Sequence, residues 1–491
     1  METGTYISLA AYFVLMIGIG LWAWKKSTDT SEGYLLAGRN LPPAVAALSA
    51  GASDMSGWLL LGLPGALYAA GLVEAWIGIG LFLGALANWI IVAPRLRAQT
   101  ERLGNALTIP EYLANRFPDK AVALRVVSAF IIVVFFAVYT AAGLVGGGKL
   151  FETSFAGLLP GLGLSDYMTG IWITALVVLA YTMVGGFLAV SLTDFVQGLI
   201  MVTALVVMPL VVLFGPGGSA GGSLSEVPVE GFLDVTNGLT LVGFISLMAW
   251  GLGYFGQPHI IVRFMAIDTV EKVRPARNIG MIWMGVALLG SIGIGIAGRA
   301  FVERNGLVVD DPETIFIVLA NLLFHPLVTG FLLAALLAAI MSTISSQLLV
   351  ASSSLTEDFY KLFFRKNASE RESVNVGRVC VALVAVAAIL IASDPDSEVL
   401  GLVSNAWAGF GAAFGPLIIL SLTWKNMTGA GALAGLVTGA LVVIVWIAAG
   451  LGSALYEIVP GFAAAWAAIW LVSKATASSI PNTADEGVHA S

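Results

Sequence analysis

Asp54 lies at the centre of the apolar run 42–70, within Ala47-Leu48-Ser49-Ala50-Gly51-Ala52-Ser53-Asp54-Met55-Ser56-Gly57-Trp58. An aspartate in the middle of a membrane helix costs roughly 2.5–3.5 kcal/mol on insertion scales. Gly51, Gly57 and the hydroxyls of Ser49, Ser53 and Ser56 flank it. The run therefore reads as a helix interrupted near its centre, its freed carbonyls facing a wet cavity instead of lipid. The alternative is a structural Asp bonded to backbone amides of a neighbouring helix. Intramembrane ionisable groups mark ion and substrate paths, which makes a functional Asp54 the working expectation.

Two other apolar runs carry usable chemistry. Within 326–356, the stretch Ala338-Ala339-Ile340-Met341-Ser342-Thr343-Ile344-Ser345-Ser346-Gln347 sets adjacent hydroxyls at 342 and 343, hard oxygen ligands of the kind an alkali cation takes. Membrane Ser and Thr also bond back to the i−4 carbonyl. The pair gains weight beside a broken Asp54 helix, because unwound carbonyls and hydroxyls together form a sodium cage. The run 237–262 ends Trp250-Gly251-Leu252-Gly253-Tyr254-Phe255-Gly256-Gln257-Pro258-His259. Trp250, Tyr254 and Pro258 recur at i, i+4 and i+8, one stripe of an α-helix. That stripe reads as the aromatic wall of a small cavity or as an interfacial belt. Tyr139 reads as core packing, His259 and His325 as locally bonded residues near span ends, and Gly415-Pro416 as a kink.

Composition defines the elements that must position these groups. Only 11% of the 491 residues are Asp, Glu, Lys or Arg and 58% are hydrophobic, whereas a soluble domain carries about 25% charged residues. The chain is thus an integral membrane protein. Its apolar runs are too long for barrel strands and do not alternate, so they span as helices. Thirteen are expected: 4–24, 42–70, 72–93, 122–148, 165–187, 190–215, 237–262, 278–300, 326–356, 376–393, 397–423, 427–450 and 452–473. The lone Cys380 excludes a disulfide framework, and His259, His325 and His489 form no metal-ligand cluster. A formal charge of −7 without a basic block argues against nucleic acid. No nucleophile–base pair points to an enzyme.

Lys25 and Lys26 follow the first apolar run, which reads as a spanning helix with its N-terminus outside, not as a signal peptide. With thirteen spans, all of the 23 Lys and Arg except Lys149, Arg299 and Arg304 then fall in cytoplasmic loops. Asp54 remains the one carboxylate at mid-depth. The Gly/Ser/Pro run from Gly215 to Ser223 divides the chain into a leading helix and loop (1–41), a five-helix block (42–215), an extracellular linker (216–236), a second five-helix block (237–423) and two trailing helices with a short cytoplasmic tail (424–491). Five spans per block force opposite orientations on the two blocks, an arrangement common in secondary transporters.

These runs resemble the sodium/solute symporter family over about residues 4–473. Ala50 through Leu60 resembles the family's first repeat helix, and Trp250 through His259 the helix opening its second repeat. Tyr181-Thr182-Met183-Val184-Gly185-Gly186-Phe187, Thr193-Asp194-Phe195-Val196-Gln197 and Ala406 through Pro416 add further matches. Ser53 through Trp58 and Trp250 through His259 are most similar to the proline-carrying branch. The resemblance implies an all-α integral membrane protein with a five-plus-five inverted-repeat (LeuT-type) core. It implies a sodium site from the carbonyls of Ala52, Met55 and Ala339 and the hydroxyls of Ser342 and Thr343, with Asp54 supporting it directly or indirectly. It places the substrate among Ser56, Gly57, Trp58, Tyr139, Trp250, Tyr254 and Pro258. Asp194 matches a position on the inward ion-release route, and Arg39 a cytoplasmic position linked to coupling. The expected function is sodium-coupled uptake of L-proline by alternating access in a bacterial inner membrane, with Na+ as coupling ion and no obligate protein partner. The alternatives are another small solute of the family, or a transporter-like nutrient sensor, which would carry a soluble signalling domain.

Overall fold

The computed structural model describes residues 2–27, 33, 36–157, 163–215, 227 and 230–477. The linker run 216–223, Glu226 and residues 478–491 lie outside the described residues, as do the side chains of Lys25, Lys26, Tyr181, Met183 and Val184. Apolar runs in lipid must satisfy their own backbone, and here they do so as helices. In the first half these are α1 (Thr3–Ser27), α2 (Pro43–Asp54), α3 (Leu63–Ala70), α4 (Ala75–Ile91), α5 (Ala93–Arg102), α6 (Ile109–Arg116), α7 (Ala121–Ser154) and α8 (Asp166–Phe214). The second half contains α9 (Leu241–Met248), α10 (Pro258–Ala266), α11 (Val273–Arg304), α12 (Ile315–Leu323), α13 (Pro326–Ser353), α14 (Glu370–Ile391), α15 (Val399–Thr423), α16 (Gly429–Ala448) and α17 (Ile458–Thr476). Among the described residues there is no strand, only an isolated bridge between Leu41 and Ile267.

Among the described residues ten helical stretches are long and apolar enough to cross a bilayer, and the bent pair α2–α3 makes eleven. Where the sequence expects two spans at 165–187 and 190–215, α8 consists of two helices that meet at a kink at Gly186, whose φ of 60° and ψ of −164° favour glycine. The expected span 237–262 is broken into α9, a 3₁₀ segment and α10. The short helices α5, α6 and α12 fall between the expected spans.

Burial separates core from periphery. The apolar windows of α13 and α15 are 83% and 89% buried, those of α1 and α17 only 28%. Lipid-facing positions such as Phe130 and Leu390 stay about 70% exposed, as an apolar solvent permits. The first interrupted helix sits inside this arrangement, with α2 packed on α8, α10, α11 and α13. A capping box opens α6: Thr108 Oγ1 accepts from the Glu111 amide (3.1 Å) and the Glu111 carboxylate from the Leu107 amide (2.8 Å). The Thr108 hydroxyl donates to buried Asp358, which also pairs with Arg125 (both 2.9 Å), fixing α6 beside the end of α13.

Candidate functional site

The α2 helix ends where Met55 takes φ −79° and ψ 74°, and the chain resumes through a π turn at Trp58–Gly62, with a 62° bend between the halves. The Ser56 amide, which an unbroken helix would aim at the Ala52 carbonyl, bonds instead to the Asp54 carbonyl at 2.9 Å. Ala52 is met from α13: the Ser342 hydroxyl donates to its carbonyl at 2.7 Å and Thr343 Oγ1 lies at 3.5 Å. The Asp54 carbonyl also receives Trp58 Nε1 at 3.0 Å and the Tyr139 hydroxyl at 3.3 Å. Asp54 Oδ2 accepts from the Tyr254 hydroxyl, whereas Oδ1 is buried without a hydrogen-bond partner among the described residues. Asp54, Met55, Asn88, Tyr254, Phe264 and Met281 line a small cavity of about 30 Å³.

Around this break, the Ser342 hydroxyl also reaches the Ala339 carbonyl at 3.1 Å. Ala52, Ala339, Ser342 and Thr343 thus share one hydrogen-bonded cluster, with Met55 at the adjoining end of α2. All its donors are neutral oxygens, the hard set that suits an alkali cation over a transition metal. Each hydroxyl has lone pairs to offer once its proton turns aside. Among the described residues no group of three or more His, Cys, Asp and Glu is arranged to hold a metal.

The second interruption has a different form. Residues Ala249–Gly256 make a 3₁₀ helix, Gln257 is extended at φ −79° and ψ 105°, and α10 starts at Pro258. A 3₁₀ helix turns 120° per residue, so Trp250 and Tyr254 point a third of a turn apart and the expected α-helical stripe does not form. Tyr254 faces Asp54, and its carbonyl accepts from Asn88 Nδ2 at 3.0 Å. Trp250 stacks on Tyr456 (centroids 5.3 Å apart, 27° between planes) and its carbonyl accepts from Trp407 Nε1 at 2.7 Å. Pro258 lines a separate cavity of about 10 Å³ with Phe187, Val262 and Leu349. The structure therefore gathers Trp58, Tyr139 and Tyr254 around Asp54. Ser56 accepts from the Trp58 amide at 3.4 Å and Gly57 lies against Ile340, while Trp250 and Pro258 line no part of the Asp54 cavity.

His259 is not a span-end residue bonded locally. It is fully buried, edge-on to Phe136 and Tyr139, and neither ring nitrogen has a partner among the described residues. His325 does cap α13, its Nδ1 accepting from the Leu327 amide at 3.4 Å.

Asp54 is also not the one deeply buried carboxylate. Asp194 on α8 is fully buried and pairs with Arg263 at 3.1 Å. The Arg263 guanidinium donates to Ser49 (3.1 Å), Ser346 (2.5 Å) and the His259 carbonyl (2.5 Å), and Ser49 donates to Asp194 at 2.7 Å. One arginine so joins α2, α8, α10 and α13. The sequence reading places Arg263 in a loop because it ends the span at 262. The signal it passed over is a charge with Ile260-Ile261-Val262 before it and Phe264-Met265 after it. Arg39 and Arg97 likewise are buried, not solvated loop charges. Arg39 donates to the carbonyls of Met265 (3.0 Å) and Ala106 (2.6 Å), and Arg97 to those of Ile267 (2.6 Å) and Asp268 (2.9 Å). Two guanidiniums thereby cap the C-terminal end of α10, where cations are favoured. Asn88 lies in no motif, and Trp407 lies within the run Ala406 through Pro416, which does not reveal its bond to Trp250.

A broken-helix core with an oxygen-only cluster at the break is the architecture of sodium-coupled secondary transporters. A sequence model of the sodium:solute symporter family matches residues 34–439, and the chain belongs to that family. It is 54% identical over 460 residues to the high-affinity proline transporter PutP of Bacillus subtilis (strain 168), covering 93% of this chain and 95% of the relative. It is 51% identical over 486 residues to a sodium/proline symporter of Staphylococcus aureus (strain JH9), covering 96% and 93%. The fold is similar to that of a Na+-coupled sialic acid symporter solved in a substrate-bound outward-open state, with a TM-score of 0.80 at 19% identity over 98% of each chain. The protein is thus an all-α membrane protein of the LeuT-type fold.

Proposed function

We propose that the protein takes up L-proline in symport with Na+ by alternating access. The observation that carries this reading is near-full-length identity above 50% to a proline transporter and to a sodium/proline symporter. The hydroxyl–carbonyl cluster at the α2 break agrees with it. On this reading Na+ is held by the carbonyls of Ala52, Met55 and Ala339 and the hydroxyls of Ser342 and Thr343. Asp54, with one oxygen unengaged, supplies the compensating charge. Ser56, Gly57, Trp58, Tyr139, Trp250, Tyr254 and Pro258 receive proline when the site opens. One Na+ with a zwitterion moves one net charge, so a potential of ~100 mV contributes about 2.3 kcal/mol of driving force.

The same reading has thirteen crossings, with the N-terminus outside and the C-terminus cytoplasmic, in a bacterial inner membrane. The blocks 42–215 and 237–423 form the inverted repeats. Arg39 couples the cytoplasmic end of α10 to the loops around it, and Asp194 lies on the inward ion route. Purified protein in vesicles is expected to accumulate labelled proline on an inward sodium gradient, with other solutes of the family competing poorly. Equal accumulation on a proton gradient alone would remove sodium coupling, and preference for another solute would remove proline.

A further inference from the structure

Tyr456 lies between α16 and α17, beyond both five-helix blocks, yet its ring is only 6% exposed because it reaches into the core. Three contacts fix it. Its ring stacks on Trp250 at 5.3 Å, its hydroxyl donates to the Ser404 carbonyl at 3.0 Å, and its amide donates to Ser246 Oγ at 3.1 Å. The last two anchor it to α15 and α9, the elements on either side of the Trp250 segment. From Trp250 the contacts run inward. The Trp250 carbonyl takes the Trp407 indole N–H at 2.7 Å, Trp407 meets Tyr254 edge-on at 5.0 Å, and Tyr254 bonds Asp54. The peptide of Trp250 is thus held by Trp407, while its indole plane is held by Tyr456.

The neighbouring backbone leaves the indole as the adjustable part. Gly411 of α15 sits so close to Gly253 that a Cβ added to it would lie 2.8 Å from the Gly253 Cα, and Ile458 at the start of α17 closes the same gap at 2.6 Å. The main chain here is tightly packed, which leaves the Trp250 ring as the freer element. An offset stack of two aromatic rings is worth more than the area it buries, and it restrains rotation of that ring.

We propose that Tyr456 is a positioning residue that sets the size limit of the substrate site by holding the Trp250 indole in one orientation. The inference rests on Trp250 bordering the proline that the protein carries. Full-length protein in vesicles, as wild type, Tyr456→Phe, Tyr456→Ala, Trp250→Ala and the Tyr456→Ala/Trp250→Ala double variant, is assayed for proline KM and kcat. Competition by the six-membered-ring analogue pipecolate and the apparent sodium affinity are measured alongside. Tyr456→Ala is expected to raise the proline KM about three- to tenfold, the loss of one aromatic pair, with kcat and sodium affinity unchanged. It should lower the proline-over-pipecolate preference by a similar factor. Tyr456→Phe keeps the stack and should keep the wild-type preference, and the double variant should match Trp250→Ala. If Tyr456→Ala does not reach the membrane folded, Tyr456→Leu, which removes the ring stack while retaining bulk, is read in its place. An unchanged preference with lower kcat alone, or additive effects in the double variant, overturns the proposal in favour of a scaffold role. Failure of the transport reading itself is separable, because wild type would then not accumulate proline at all.

Discussion

The two interrupted helices solve one problem by different means. At the α2 break the chain leaves the helix over a few residues, and its stray carbonyls are met by side-chain hydroxyls and ring donors from α13, α7 and α3's own approach turn. At the break between α9 and α10 the backbone tightens into a 3₁₀ helix, and glycines admit neighbouring main chain: a Cβ on Gly256 would meet Gly411 at 2.9 Å and one on Gly251 would meet Gly84 at 3.2 Å. The first break is polar, and on the proposed reading its contacts are exchanged for a cation. The second also has carbonyls met by side chains, from Trp407, Asn88 and Gln257, and adds close main-chain packing through its glycines. Such a difference suits a site where an ion must enter and leave while the solute is gripped by shape.

The largest expected effect lies where the two helices are tied together. Arg263 of α10 is fully buried, and its partners Ser49 and Asp194 sit on α2 and α8. Arg263→Ala leaves Asp194 buried and uncompensated, a loss of about 3–5 kcal/mol, read as a fall in thermal stability in detergent and in the yield of folded protein. Adding Asp194→Asn should restore much of the stability without restoring transport. If the double variant is no better than the single one, the ion pair is not what holds the two halves together.

Next comes a direct bond between the breaks, from the Tyr254 hydroxyl to Asp54 Oδ2. Tyr254→Phe is expected to cost about 1.5–3 kcal/mol, as for hydrogen bonds to charged groups, and to weaken proline binding measured on purified protein. Unchanged stability and affinity would mean that the two breaks act independently.

Glycine substitutions test the contrast itself. Gly253→Ala drives a Cβ into the Trp407 indole, which is itself packed and bonded to Trp250, so a loss of about 1–3 kcal/mol is expected. Gly57→Ala at the first break comes no nearer than 3.3 Å, to the Ile340 Cγ1, the flexible flank of a side chain, on helical backbone (φ −49°). It should be clearly the milder of the two in a thermal melt. Equal losses would erase the distinction between the first break and the more closely packed second one.

How far the sequence foretold this follows from the range of its signals. Asp54, the paired hydroxyls and the glycine-rich run were legible because each breaks the composition of its own segment. That the hydroxyls meet Ala52, and that Tyr254 meets Asp54, depends on helices distant in sequence and packed together, which no local pattern encodes. Periodicity misled at Trp250 and Pro258 because i, i+4 spacing presumes 100° per residue, and the glycines let the backbone wind tighter. Charge counting misled at Arg263, Arg39 and Arg97, since it assigns any basic residue near a span end to water. Tyr456 is an apolar-run aromatic like many others, and only tertiary packing sets it apart.

The smallest effect on the fold is expected at the hydroxyl pair, and it separates holding the helix from holding the ion. Ser342 Oγ lies 2.7 Å from the Ala52 carbonyl and Thr343 Oγ1 lies 3.5 Å away. Without sodium, Ser342→Ala should therefore cost about 0.5–1.5 kcal/mol, the net worth of one neutral hydrogen bond, and Thr343→Ala less than that. Apparent sodium affinity need not follow this order, because a cation uses the lone pairs of both oxygens whatever their protons were doing before. Both single variants should need more sodium for half-maximal proline uptake, and the double variant more than either. A ranking by sodium affinity that merely copies the ranking by stability would make the pair a structural bolt for the α2 break. An unshifted sodium dependence in the double variant would take both residues out of the ion site.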